Sequence, residues 1–269
     1  MMESDLDLFD SHCHLDFAAF DGWRDQALRN ARSVGVRQIL LPGVTAQYWS
    51  RLLQLCQLQS QAYEHYPLLY PALGMHPCFM AEHRPEHLEL LQQHLAGGEA
   101  LAVGEIGLDF FISDSDVQAQ QLLLERQLLL AKQYDLPVLL HVRKAHDQML
   151  KTLRRFKLPR GGVVHAFSGS EQQAHIYIDL GFKLGFGGVL SYRRATKLRH
   201  LAATLPLESM VLETDAPDMP LSDWREEPNR PERVRDIFEV LYSLRSEAPE
   251  HIARQTTANV REVLALNIA

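Results

Sequence analysis

Short apolar runs, often β-branched or leucine-rich, recur about every 30 residues along this chain, and each is followed by a longer amphipathic stretch. That period restricts the fold more than any other feature. It is the footprint of a strand, a crossover helix and a second strand lying parallel to the first. The runs predict eight strands, at residues 6–9, 37–41, 68–73, 101–103, 138–140, 162–164, 183–187 and 210–212. Helical patterns fill the intervals. Over 117–134, Leu123, Leu124, Gln127, Leu128 and Ala131 recur at the 3.6-residue spacing. After the last strand Pro231 is placed to open a helix ahead of Val234, Ile237, Phe238 and Leu241, and a final helix is expected over 249–266. Eight such units point to a (β/α)8 barrel of the TIM type. An open doubly wound sheet is the alternative, since periodicity does not reveal closure. No Gly/Ser-rich joint or low-complexity tract interrupts the pattern, so residues 1–269 are expected to form a single domain.

Charge narrows the partners. Lys and Arg total 27 against 34 Asp and Glu, a net charge of -7, so the chain carries no general basic surface to hold duplex DNA. Any nucleic acid contact must be local. Three cysteines, Cys13, Cys56 and Cys78, are too few for a disulfide framework and suggest a reducing compartment. Residues 1–10 hold Glu3, Asp5 and Asp7 and no basic or long apolar segment, so neither signal peptide nor anchor is expected there. No apolar run reaches membrane-spanning length, and a cytoplasmic location with no membrane partner and no obligate protein partner is expected.

Barrel enzymes build their sites on the rim at the C-terminal ends of the strands, so the residues just past each run matter most. The first run leads into Asp10-Ser11-His12-Cys13-His14, the fourth into Gly104-Glu105, the fifth into His141, the sixth into His165 and the eighth into Glu213-Thr214-Asp215. In an extended segment alternate side chains share a face, so His12 and His14 point together and Cys13 points away. Two imidazoles on one ion fit that geometry, and a Cys13 thiolate ligand does not. Four histidines with Glu105 and Asp215 offer more nitrogen and oxygen donors than one tetrahedral ion needs, whereas two ions sharing a carboxylate would use them all. An isolated histidine is more often a core or capping group. His83, His87, His94, His146, His175, His200 and His251, read as helical or flanking, and His65, read as a loop residue, are assigned that role.

Six ordered motifs then carry a family resemblance. They are Asp10-Ser11-His12-Cys13-His14-Leu15-Asp16, Gly74-Met75-His76-Pro77, Gly104-Glu105-Ile106-Gly107-Leu108-Asp109, His141-Val142-Arg143-Lys144-Ala145, His165-Ala166-Phe167-Ser168-Gly169 and Glu213-Thr214-Asp215-Ala216-Pro217. Together they resemble the TatD-type metal-dependent deoxyribonucleases, a family within the amidohydrolase-like barrels, and the match runs from Asp10 to the C-terminal helix. The resemblance implies that His12, His14 and Asp215 hold one divalent ion, that His141 and His165 hold a second, and that Glu105 bridges them. It also implies hydrolysis of DNA phosphodiester bonds, often from the 3′ end of single strands. Glu105 stands where some related barrels carry a carbamylated lysine, so the bridge is expected to be a plain carboxylate. One region departs from the family. Many members have a Ser-Pro-Tyr-Leu-type run after the last site aspartate, followed by a longer basic segment and an Asn-Glu-Pro. Here Asp215 is followed by Ala216-Pro217-Asp218-Met219-Pro220 and later by Pro228-Asn229-Arg230-Pro231, which bears on substrate choice.

Roles follow from the chemistry of hydrolysis. Asp215 and Glu105 are the catalytic candidates, with Asp215 the base that takes a proton from water, because a carboxylate engaged through one oxygen can accept through the other. Asp10, Asp16 and Asp109 sit beside ligands and could orient imidazoles. His76 is a candidate phosphate or product contact, with a turn role as the alternative. Arg143 and Lys144, and the basic run Arg193, Arg194, Lys197 and Arg199 behind Gly187, Gly188 and Ser191, are candidate phosphate contacts, with a solvated helix face as the alternative. Phe110 and Phe111 could stack a base, though at least one is expected in the core. The donor set suits zinc, manganese, nickel and, less well, magnesium. A small-molecule amide, ester or phosphoester hydrolase on the same barrel, and a non-catalytic metal-binding scaffold, remain as alternative functions.

Overall fold

The computed structural model describes residues 6–59, 65–112 and 116–266. Among them stand the strands β1 (Leu8–Asp10), β2 (Val36–Pro42), β3 (Leu68–Leu73), β4 (Ala102–Asp109), β5 (Val138–Arg143), β6 (Gly162–Val164), β7 (Phe182–Phe186) and β8 (Met210–Leu212). Each pairs in parallel with the next, in the order β1 to β8. The circle closes through the segment after β1. Ser11 N–H donates to the Leu212 carbonyl at 2.9 Å, Asp215 N–H to His12 at 2.8 Å and His14 N–H to Ala216 at 2.8 Å. Around this barrel lie α1 (Arg24–Ser33), α2 (Ala46–Gln59), α3 (Glu86–Ala96), α4 (Val117–Gln133), α5 (His146–Phe156), α6 (Glu171–Asp179), α7 (Thr196–Thr204), α8 (Val234–Leu244) and α9 (Pro249–Val263). Within the described residues, no helix is long and apolar enough to cross a membrane.

Parallel strands are buried on both faces, and alternation along each strand divides the core in two. Phe9, Leu40, Ala72, Ala102, Leu139, Val163 and Val211 form the plug inside the barrel. Their neighbours Leu8, Ile39, Leu41, Val138, Leu140, Val164, Met210 and Leu212 point outward into the layer beneath the helices. The plug is sealed at the N-terminal end by Val260, Val263 and Leu264 from α9 and the residue after it. The amide of Asn259 ties α9 there, donating to the carbonyls of Leu207 at 2.8 Å and Met210 at 2.7 Å.

Two strands run well beyond the ends that periodicity suggests. β4 ends at Asp109 rather than 103 and β5 at Arg143 rather than 140, so Glu105 and His141 lie within strands rather than beyond them. Glycines and acids normally end a strand, but here the acids have buried partners and the pairing of β4 with β5 continues after a register shift between Val103 and Ile106. Glycine is required within that ladder: a Cβ at Gly107 would overlap the His141 carbonyl. β1 begins at Leu8 rather than 6, and Pro231 opens a 3-10 turn (Pro231–Arg233) that leads into α8.

Replacing Asn259 by Ala removes its hydrogen bonds to the Leu207 and Met210 carbonyls, the first of which keeps the Met210 N–H, and should cost about 1–3 kcal/mol. Urea unfolding measures this; a loss below about 0.5 kcal/mol would show that α9 is held by its apolar contacts alone.

Candidate active site

Strand alternation builds the site directly above the plug. His141, His165 and Glu213 each stand two residues beyond an interior apolar residue, Leu139, Val163 and Val211, and so share their face of the barrel. The segment after β1 stays extended, pairing through a bridge between Cys13 and Ala216. His12 and His14 therefore meet at the mouth, while Cys13 is buried with its thiol toward the Ala216 carbonyl. Asp215 joins them by adopting the left-handed conformation at φ 56°, one of three such non-glycine residues at strand ends with Lys144 and Ala166. Backbone strain of this kind persists where surrounding bonds over-determine it.

All six expected ligands converge. His12 Nε2 lies 3.3 Å from His14 Nε2, 3.1 Å from Glu105 Oε2 and 3.7 Å from Asp215 Oδ1. His14 Nε2 lies 3.5 Å from Glu105 Oε2 and 3.4 Å from Asp215 Oδ1. Donors about 2.0–2.2 Å from a shared ion and tetrahedrally arranged stand roughly 3.4 Å apart, so His12, His14 and Glu105 have the spacing of ligands to one ion, with Asp215 approaching both imidazoles. On the other side, Glu105 Oε1 lies 3.0 Å from His141 Nδ1, and His165 Nε2 lies 3.6 Å from Asp215 Oδ2. Glu105 thus turns one oxygen to each group.

Neighbouring groups fix which ring nitrogen can act as a donor to an ion. His14 Nδ1 donates to the Pro42 carbonyl at 3.2 Å, which leaves Nε2 bare toward the cluster. His141 Nε2 meets Asp109 Oδ2 at 2.9 Å, leaving Nδ1 on the Glu105 side. Glu213 Oε1 lies 3.1 Å from His165 Nδ1, out of line for a hydrogen bond, and accepts from Ala166 N–H at 2.6 Å. His12 Nδ1 is buried without a partner.

Electrostatics follow from crowding buried groups. Burial opposes ionisation of Glu105, but the imidazoles of His76, His12 and His141 outweigh it and hold the carboxyl well below its ordinary range. Burial also opposes a charge on His165, yet Asp215 and Glu213 raise its pKa to about 10. His141 is likewise raised against burial, by Asp109, Cys78 and Glu105. His12 moves down, through burial and the neighbouring His165. The same proximity that lowers Glu105 and Asp215 thus raises His141 and His165.

Several expected contacts fall elsewhere. His76 lines the cleft, but both its nitrogens are engaged: Nδ1 accepts from Cys78 N–H at 3.1 Å, and Nε2, which then carries the proton, faces Glu105 Oε1 at 3.2 Å. From the cleft wall it supports Glu105. Asp10 orients no imidazole; it accepts from the backbone N–H groups of His12 and Thr214 and from the Thr214 hydroxyl, since burial leaves it facing the closure of the barrel. Asp16 Oδ1 is buried without a hydrogen bond, and of the three aspartates Asp109 alone meets an imidazole among the described residues. The cleft of about 820 Å3 above the cluster is lined by Arg143, Arg194 and Lys197 but not by Arg193, because adjacent residues in a turn project in different directions. Arg199 is turned back onto the Leu190 carbonyl at 2.8 Å. Phe110 packs on the core, while Phe111 is exposed, with the Arg143 guanidinium 3.8 Å from its ring centroid.

Sequence reading missed two glutamines. On the buried face of α4, Gln120 pairs with both backbone groups of Asp109 (2.9 and 3.1 Å), and Gln127 with both of Met75 (2.7 and 3.1 Å). Each side-chain amide stands in for a missing strand neighbour and fixes the backbone beside His141 or His76. Gln127 left a trace in the sequence, a polar residue within an otherwise apolar helical face. Cys78, lining the cleft with its thiol 3.5 Å from Asp109 Oδ2, and Asn229, whose amide holds the Thr214 carbonyl at 2.7 Å, left none.

Comparison with known proteins agrees with this geometry. The chain is 48% identical over 252 residues to an uncharacterized metal-dependent hydrolase of Escherichia coli, YjjV, covering 93% of this chain and 95% of that protein. The crystal structure of YjjV superimposes with a TM-score of 0.90 at 45% identity, covering 97% of this chain and 98% of the other. A 3′-5′ ssDNA/RNA exonuclease TatD of Erwinia billingiae is 34% identical over 266 residues, covering 96% of this chain and 99% of that protein. The barrel is also shared with a TatD family hydrolase of Entamoeba histolytica, at a TM-score of 0.82 and 19% identity over 96% of this chain and 98% of that one. The model of the TatD related DNases matches residues 9–265, nearly the whole sequence, and the chain belongs to that family.

Proposed function

We propose that this chain is a two-metal phosphodiesterase that removes nucleotides from the 3′ end of single-stranded DNA. As a member of its family it is a metal-dependent hydrolase; the number of ions and the substrate are our reading. One observation carries it: the carboxylate of Glu105 turns its two oxygens to two separate groups of imidazoles. His12 Nε2, His14 Nε2, Glu105 Oε2 and Asp215 Oδ1 would hold one ion, and Glu105 Oε1, His141 Nδ1 and His165 Nε2 the other. Zinc, manganese, nickel and magnesium all accept such donors, with magnesium the poorest fit for the nitrogen-rich set. The exonuclease name borne by the Erwinia relative supports DNA as substrate, and three unpaired cysteines fit a cytoplasmic setting.

Divalent ions bound here would supply Lewis acidity and an acidified water at neutral pH. The chain's own residues do the rest. Asp215 Oδ1 faces His12 and His14, while Oδ2 lies on the His165 side, where it can take the proton of the attacking water. Arg143, Arg194 and Lys197 on the cleft wall neutralise the phosphates of the strand, so a chain of net charge -7 gathers its anionic substrate through these few cations. Exposed Phe111, stacked beneath Arg143, offers a face for a base. Asp218, also on the wall, favours a second reading, a hydrolase of small esters, because a carboxylate there repels a polyanion.

Digestion of 3′- and 5′-end-labelled single strands by the metal-reconstituted protein separates these readings: a ladder growing from the 3′ end, abolished by chelation, is expected. Glu105→Gln should lower kcat/KM roughly 100-fold or more and reduce metal occupancy, whereas Asp16→Asn should change little. Normal turnover by a Glu105→Gln protein that still binds two ions ends the bridging role.

Removing Arg194 and Lys197 together should raise KM on oligonucleotides, sparing a small phosphodiester, and should flatten the salt dependence by roughly 0.7 of slope for each phosphate no longer neutralised. Equal effects on both substrates would reduce this turn to a solvated face.

Metal binding should also release protons. His165, raised to about 10, is protonated throughout the neutral range and must lose its proton to serve as a ligand, so metal affinity should climb as pH rises toward that value. Calorimetry in two buffers of different ionisation enthalpy measures the release; proton-neutral binding would show that the imidazoles are already uncharged.

A further inference from the structure

His146, an ordinary core histidine by its sequence context, lies outside the metal cluster. It opens α5 and is 9% exposed, packed edge-on against Phe167 and Tyr177 at ring-centroid distances of 5.4 and 5.8 Å. Its two nitrogens join two hydroxyls. Nδ1 lies 3.2 Å from the Tyr177 hydroxyl, which is fully buried, and Nε2 lies 3.4 Å from Ser168 Oγ. Ser168 is exposed on the wall of the cleft, close after His165, and Lys197 Nζ donates to its carbonyl at 3.4 Å. A buried hydroxyl, an imidazole and an exposed hydroxyl thus run in line from the helix layer to the cleft.

The direction of this chain follows from donor strength. A phenol is the better donor and a bare imidazole nitrogen the better acceptor, so Tyr177 O–H donates to His146 Nδ1. His146 then carries its proton on Nε2 and donates to Ser168 Oγ. With its oxygen occupied, Ser168 keeps its own O–H free for the cleft. Burial, reinforced by the ammonium of Lys197, pushes the His146 pKa down to about 4, so the ring is uncharged through the neutral range and its tautomer is set by the Tyr177 hydroxyl.

We propose that Ser168 is a phosphate-binding residue, its hydroxyl donating to a non-bridging phosphate oxygen held in the cleft, and that His146 and Tyr177 are positioning residues that aim it. The inference rests on the reading of the cleft as a phosphodiester site. It adds a neutral donor with a fixed direction beside the charged groups of Arg194 and Lys197, which are carried on long side chains. No bond is made or broken by these residues.

The metal-loaded full chain tests it through two readouts, calorimetric binding of thymidine 5′-monophosphate and steady-state kinetics on an oligothymidylate. Ser168→Ala should weaken nucleotide binding and raise KM by about 10-fold with kcat within about 2-fold, and Ser168→Thr should restore both. Tyr177→Phe, far from the cleft surface, should shift both readouts in the same direction by about 2–3-fold, with no further loss when combined with Ser168→Ala. Unchanged nucleotide binding by the Ser168→Ala protein overturns the site. Independent, multiplying effects of the two substitutions overturn the relay. If the wild-type chain leaves DNA intact but loses nucleotide affinity on Ser168→Ala, the inference stands and the DNA reading falls; if it cuts DNA and Ser168→Ala is neutral, the reverse holds. A wild-type protein that neither binds the nucleotide nor cuts DNA overturns both.

Discussion

A carboxylate that is 2% exposed and still ionised is the constraint around which this molecule is arranged. Taking Glu105 out of water costs several kcal/mol or more unless charge or hydrogen bonds surround it. His12 and His14 answer one of its oxygens, and His76 and His141 the other. Each answering ring must in turn be held in one orientation. The Pro42 carbonyl does this for His14, Asp109 for His141 and the Cys78 N–H for His76. His14 and His141 are thus oriented by bonds that no ion has to supply, whereas His12 Nδ1 is buried without such a partner.

Those supports extend into the helix layer. Gln120 and Gln127 on α4 clamp the backbone beside Asp109 and His76, and Asn229 holds the loop that carries Asp215. Space is tuned as well, since a Cβ at Gly185 would collide with the Glu213 carboxylate behind His165. Such a mouth is rich in buried polar groups and left-handed backbone, and both oppose stability. The opposite end offsets this: an apolar plug fills the barrel and α9 seals it with Val260 and Val263. Stability resides at one end of the strands and chemistry at the other, as barrel architecture permits.

Around the cluster, charge is distributed by wall. The chain as a whole is acidic, yet Arg143, Arg194 and Lys197 share the cleft with the carboxylates of the site. At ordinary ionic strength such cations act over about 8–10 Å, which is the scale of the cleft itself. The attraction these cations exert on an anion is therefore confined to the mouth. Asp218 breaks that uniformity in the very loop where this sequence departs from the family pattern.

Much of this was legible in the chain alone. Strand periodicity gave away eight parallel βα units because each repeats the same local requirement, and the run 210–212 coincides with β8 as 68–73 does with β3, but closure of the barrel came only with the bonds between the segments after β1 and β8. The alternation of His12, Cys13 and His14 settled their faces, since a two-residue repeat is a property of extended backbone. Local pattern misjudged β4, where Gly104, Glu105 and Gly107 look like a strand end; only pairing with β5 and burial among imidazoles keep the ladder going to Asp109. It also could not distinguish His76, a support for Glu105, from a substrate contact, nor Arg194 from Arg193. The sequence by itself determined which groups could bind a metal and on which rim they would stand, because both follow from residue type and short-range geometry. Tertiary structure alone decided which groups support them: Gln120 and Gln127 meet the backbone beside His141 and His76 only after α4 packs back over the sheet, and no local spacing encodes where that crossing ends.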